Sequence, residues 1–128
     1  MAPISVTLAP RDPPAAVVAL VGEHDAYSAS RLEIELAVLL DEGRRIVLDL
    51  RDTDFVDSTT LAAFLAARRD AEERSLGFAV VLPERTYTQV HQLLELTNLG
   101  SAFAIYDTLD EALHAAREGV TSSVRSAA

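Results

Sequence analysis

An alternation of short apolar runs with helix-period stripes constrains the fold of this chain most. Ala15 to Val21 is apolar throughout, rich in valine, and ends at Gly22. A short run of this kind, bounded by turn residues, fits a strand buried on both faces. From Ser28 to Leu40 the spacing changes. Leu32, Leu36, Leu39 and Leu40 share one side of a helix, with Arg31, Glu33 and Glu35 elsewhere, and Asp41-Glu42-Gly43 closes it. The pair of signals recurs down the chain. Ile46–Leu50 reads as a strand, and the helix after Ser58 carries Leu61, Phe64 and Leu65 on one side and runs to about Arg74. Phe78–Leu82 is a strand stopped by Pro83; Val90, Leu93, Leu94 and Thr97 mark a helix ended by Asn98-Leu99-Gly100. Phe103–Tyr106 is a short strand. Thr108 with Glu111 forms a capping-box pattern, followed by the stripe Leu109, Ala112, Leu113 and Ala116. Ahead of all this, Ile4, Val6 and Leu8 alternate as in a half-exposed strand, and Arg11-Asp12-Pro13-Pro14 is a turn.

The order strand, strand, helix, strand, helix, strand, helix, strand, helix predicts an α/β fold. We expect one mixed, mostly parallel β-sheet covered by about four α-helices on one face, with the N-terminal strand pairing at an edge. A length of 128 residues fits a single domain. The expected domain is 1–118, and the small, polar stretch 119–128 is expected to be a flexible C-terminal tail.

Charge narrows the function. The 11 Lys+Arg against 20 Asp+Glu give a net of −9. That argues against a phosphate-backbone binder, which needs a basic face, and against docking on anionic lipid. It favours a basic or mixed-charge protein partner. With no cysteine, a disulfide scaffold, a thiol nucleophile and a thiolate metal site are all excluded. The start Met1-Ala2-Pro3-Ile4 lacks a signal-peptide pattern, and no segment reaches the length of a membrane span, so a cytoplasmic location without membrane insertion is expected.

The residues of most chemical interest are Asp57-Ser58. The apolar strand gives way to what reads as a short acidic loop, and a hydroxyl stands where the next helix begins. A helix N-terminus offers free N–H groups and partial positive charge, so a phosphate on Ser58 is accommodated there. The plain alternative is that Ser58 is simply an N-cap. Glu23, Asp25, Asp52, Asp54 and Asp57 form an acidic set. Hard cations prefer oxygen ligands, but no nucleotide-cradling Gly-Lys-Ser/Thr run accompanies them. We read the set as a docking surface for a positively charged partner, with no cofactor and no metal. His24, His91 and His114 lack ligand spacing, and His24 is expected to be structural. No Gly-x-Ser-x-Gly elbow surrounds Ser58, and no enzyme is expected.

Taken in order, several of these pieces resemble one family. Gly22-Glu23-His24-Asp25, Val47-Leu48-Asp49-Leu50 followed by Phe55-Val56-Asp57-Ser58, Thr97-Asn98-Leu99-Gly100 and Thr108-Leu109-Asp110-Glu111-Ala112-Leu113 match the pattern of a STAS domain over roughly Ile4 to Ala116. This is the fold of anti-sigma factor antagonists. The resemblance implies that Ser58 is phosphorylated by an anti-sigma factor that is itself a GHKL-type serine kinase. It further implies that a phosphatase reverses the modification, and that Asp25, Asp57, Ser58, Thr59 and Thr60 meet the partner. Thr60 stands where family members often have glycine, and Thr59 and Thr60 are alternative acceptors. The rival reading is a non-phosphorylated STAS scaffold subunit of a lipid-transport ABC complex or stress-sensing assembly.

Overall fold

The computed structural model describes residues 3–83 and 86–122. The elements are β1 (Ile4–Ala9), β2 (Ala15–His24), α1 (Ala26–Asp41), β3 (Arg45–Val56), α2 (Ser58–Glu73), β4 (Phe78–Val81), α3 (Gln89–Thr97), β5 (Ala104–Tyr106) and α4 (Leu109–Arg117). A 3-10 turn at Gly100–Ala102 precedes β5. The five strands lie in the order β1-β2-β3-β4-β5. β1 pairs antiparallel to β2 at one edge, and β2 to β5 run parallel. This is the mixed α/β sheet that the alternation predicts. The tail expected beyond residue 118 lies outside the described residues from 123 onward. Among the described residues, no helix is long and apolar enough to cross a membrane.

The helices do not all lie on one face. Ile46, Leu48 and Leu50 of β3 pack with Leu32, Leu36 and Leu40 of α1, Leu61 and Phe64 of α2, and Val90 and Leu94 of α3. Val47 points the other way, joining Ala79, Val81 and Ala104 against Ala112 and Ala116 of α4. The cause is topological. A right-handed crossover between neighbouring parallel strands puts its helix on a fixed side, and every crossover here steps in the same direction. The three crossover helices therefore share a face. The last helix is not a crossover, and it covers the side that would otherwise leave an apolar parallel sheet open to water.

β3 also runs further than expected. Arg51 to Val56 is strand, not loop, and pairs with the end of β2 through Val21↔Asp52, Gly22↔Thr53, Glu23↔Phe55 and His24↔Val56. Register shifts leave extra residues on β3, and Gly22 adopts φ +82°, which bends the ribbon without a Cβ penalty. The interior position in this polar run is held by Thr53, whose hydroxyl donates to the Leu20 carbonyl at 2.7 Å. The bulges disguise the period-two pattern that would have marked a strand.

The packing of α2 makes a direct test of the core. Phe64 is buried in the cluster between α2 and the sheet. Phe64→Ala is expected to cost about 3–5 kcal/mol, read as a drop in urea-unfolding free energy. A loss below about 1 kcal/mol would place the ring outside the core.

Candidate functional site

The ends of β2 and β3 meet, and each passes straight into a helix capped by an aspartate. Asp25 is the N-cap of α1, its carboxylate accepting from the Tyr27 N–H at 3.0 Å. Asp57 is the N-cap of α2, accepting from the Thr60 N–H at 2.9 Å. The two caps are joined. Asp57 N–H donates to the His24 carbonyl at 3.1 Å, one residue before Asp25. Asp25, Asp57 and Ser58 therefore share one end of the sheet.

Thr60 locks this junction from within. Its side chain is 0 % exposed, and its hydroxyl lies 2.9 Å from Asp57 Oδ1, 3.3 Å from the His24 carbonyl and 3.4 Å from the Asp25 carbonyl. The single hydroxyl proton goes to the carboxylate, which is both the nearest acceptor and the charged one. This corrects the expectation that Thr60 meets a partner or serves as an acceptor: its hydroxyl faces inward. Thr59 is exposed and donates to Asp57 Oδ1 at 2.7 Å.

Ser58 is not the cap. It occupies the first helical position after Asp57, is exposed, and its hydroxyl has no hydrogen-bond partner among the described residues. Aspartate caps a helix as well as serine does, so the run Asp57-Ser58 carried the signal for this assignment. The consequence is chemical: Ser58 Oγ is free to accept a group without disturbing the fold.

The electrostatics follow from the contacts. Partial desolvation of Asp57 would raise its pKa. The bonds from the Thr59 hydroxyl and from the Thr60 N–H and hydroxyl, with that from the Ala26 N–H, outweigh this and hold the carboxyl below its ordinary range. A carboxyl depressed in the folded state contributes stability above the unfolded pKa of about 4 and loses it as pH falls through the folded value. Asp57→Ala is expected to cost about 1–2 kcal/mol at pH 7, with the gap to wild type narrowing in urea melts as pH falls below about 4. A gap that does not narrow would mean that the charge plays no part.

His24 sits behind the junction, 1 % exposed, with Nδ1 3.1 Å from Ser28 Oγ and Nε2 3.1 Å from the Val21 carbonyl. Burial lowers its pKa against the opposing pull of the Val21 carbonyl and the Asp25 charge. It is a structural histidine, as expected. Around the caps, Tyr27 is 80 % exposed, and Phe55 and Val21 are also exposed apolar residues. Sequence patterning did not single out Tyr27. It shares its side of α1 with Ile34 and Val38, seven and eleven residues on, which are also exposed apolar residues.

Gln89 was missed as well. Its side-chain Oε1 accepts from the Val56 N–H and its Nε2 donates to the Val56 carbonyl, both at 3.0 Å. Nothing in the sequence links residues so far apart.

This chain is similar over most of its length to known proteins. A family model described as "Mlab, STAS domain" matches residues 8–109. The anti-sigma-B factor antagonist of Listeria monocytogenes is 29 % identical over 104 residues, covering 80 % of this chain and 88 % of the relative. The crystal structure of an anti-sigma factor antagonist from Mycobacterium paratuberculosis is 28 % identical, with a TM-score of 0.68 over 90 % of this chain and 95 % of that one. The anti-sigma factor antagonist SpoIIAA in its unphosphorylated form shares the fold at 16 % identity, with a TM-score of 0.65 over 88 % of this chain and 94 % of that one.

Proposed function

Starting from the membership of this chain in the STAS domain family, we propose that it is an anti-sigma factor antagonist switched by phosphorylation of Ser58. In its unphosphorylated form it binds a GHKL-type serine-kinase anti-sigma factor in the cytoplasm and frees a sigma factor. Phosphorylated, it lets the kinase go, and a phosphatase restores it. The chain does no chemistry of its own. In this reading residues 1–118 form the regulatory domain, and 119–128 are a tail outside the interface.

The observation that carries the proposal is the Ser58 hydroxyl: exposed, unbonded, and one residue past an aspartate that already caps the helix. Asp25, Asp57, Ser58 and Thr59 form the surface the partner meets, while Thr60 acts from inside by fixing Asp57. A phosphate adds about −1.5 to −2 charges beside Asp57 and Asp25, in a chain already at −9. Support comes from the Listeria relative, an anti-sigma-B factor antagonist, and from SpoIIAA, which has also been solved in its phosphorylated form.

A second reading is favoured by the matching family model, whose description names Mlab. There the same helix end is a constitutive interface of a scaffold subunit in a lipid-transport ABC complex or stress-sensing assembly. Adding the chain to a purified kinase–sigma complex separates the two. The proposal expects sigma factor to be released, and release to stop once Ser58 is phosphorylated. Stable binding to a transporter ATPase with no sigma release favours the scaffold.

A further inference from the structure

The end of β3 is open on one side. The ladder between β3 and β4 stops at Asp49↔Val81, whereas β3 continues to Val56. Beyond that point β2 is its only strand neighbour among the described residues. Val56 is buried, so its outward-facing N–H and carbonyl need partners. Gln89, the first residue of α3, supplies both: Oε1 accepts the N–H and Nε2 donates to the carbonyl, each at 3.0 Å. The amide is oriented by these bonds, since the reverse placement would set donor against donor. A side chain thus imitates the peptide of a missing strand, one residue before Asp57.

The attachment matters because α3 is held on one side only. Val90 and Leu94 face the core, while His91 and Glu95 border an open cleft of about 510 Å³. We propose that Gln89 is the positioning residue of the Ser58 switch: it fixes the Val56 peptide from which the Asp57 cap, and with it the start of α2, is suspended. Asp57 takes its backbone position from the Val56 peptide on one side and the His24 carbonyl on the other. Its role in partner binding rests on the function proposed above; its role in holding the cap does not.

The test uses the full chain with Gln89→Leu, which keeps bulk and loses both bonds, and Gln89→Glu, which keeps only an acceptor. Amide hydrogen exchange is read at Val56, at Thr60 (whose N–H bonds Asp57) and at Leu48 and Val80 in the sheet. In Gln89→Leu we expect Val56 and Thr60 to exchange about tenfold faster or more, with Leu48 and Val80 within about twofold of wild type. Gln89→Glu should show the smaller acceleration. Faster exchange at Val56 with none at Thr60 overturns the proposal, because the cap is then independent of the clamp. Uniform acceleration of all four overturns it too, showing only lost global stability. With the kinase partner, Ser58 phosphorylation should slow about tenfold in Gln89→Leu, and an unchanged rate overturns the link to the switch. If wild type itself accepts no phosphate, the functional reading fails, while the exchange result still decides whether Gln89 holds the cap.

Discussion

Gly77→Ala is expected to destabilise the domain by about 3 kcal/mol or more, an unusual cost for a single added methyl. A Cβ at position 77 would lie 1.8 Å from the Ala116 carbonyl oxygen, 2.5 Å from its carbon and 2.6 Å from its Cα. These are backbone atoms of α4 and cannot rotate aside. Nor can the glycine retreat, because its carbonyl accepts from the Ile46 N–H at 3.0 Å and the next residue, Phe78, donates to the Val120 carbonyl at 2.8 Å. Relief requires α4 to lift from the face formed by Val47, Ala79 and Ala104. Urea melts compare the variant with wild type; a loss below about 1 kcal/mol would mean that α4 is not seated there.

Ser58→Asp is expected to weaken binding to the kinase anti-sigma factor by about 2 kcal/mol or more, roughly thirtyfold. The added carboxylate would stand beside Asp57 and near Asp25, at the surface the partner is proposed to meet. Ser58→Ala should bind like wild type and lose less than about 0.5 kcal/mol of stability, because the hydroxyl supports nothing in the fold. Isothermal titration of the two variants separates charge from truncation. Equal weakening by both would mean that the hydroxyl is itself a contact. No weakening by Ser58→Asp would put the interface elsewhere. One carboxylate carries less charge and fewer acceptor oxygens than a phosphate, so the modified protein should bind more weakly still.

The strands and helices were legible because their patterns are local. Apolar runs and leucine stripes located α1, α2, α3 and the existence of all the parallel strands, although β3 runs on to Val56, beyond its expected end at Leu50. What stayed hidden depends on contacts between distant residues. The polar segment Arg51–Val56 becomes strand only because the end of β2 lies beside it, and its bulges break the alternation. The face taken by α4 is the one that the three crossover helices leave uncovered, lined by the small residues Ala79 and Ala104 against Ala112 and Ala116. In the site, position along the chain found Asp57, Ser58 and Asp25. It did not show which of Asp57 and Ser58 caps the helix, and it gave Thr60 to the surface when its hydroxyl is spent on Asp57 inside. Gln89 reaches Val56 across 33 residues, a contact that no spacing rule anticipates.

The central claim concerns one hydroxyl. The chain is incubated with the serine-kinase anti-sigma factor proposed as its partner and Mg-ATP, digested, and its phosphopeptides are sequenced by mass spectrometry. The account predicts a single phosphate on Ser58 and none on the buried Thr60, with labelling abolished in Ser58→Ala. Phosphate on Thr60, or an unmodified Ser58 under conditions in which the kinase binds the chain and hydrolyses ATP, would contradict it.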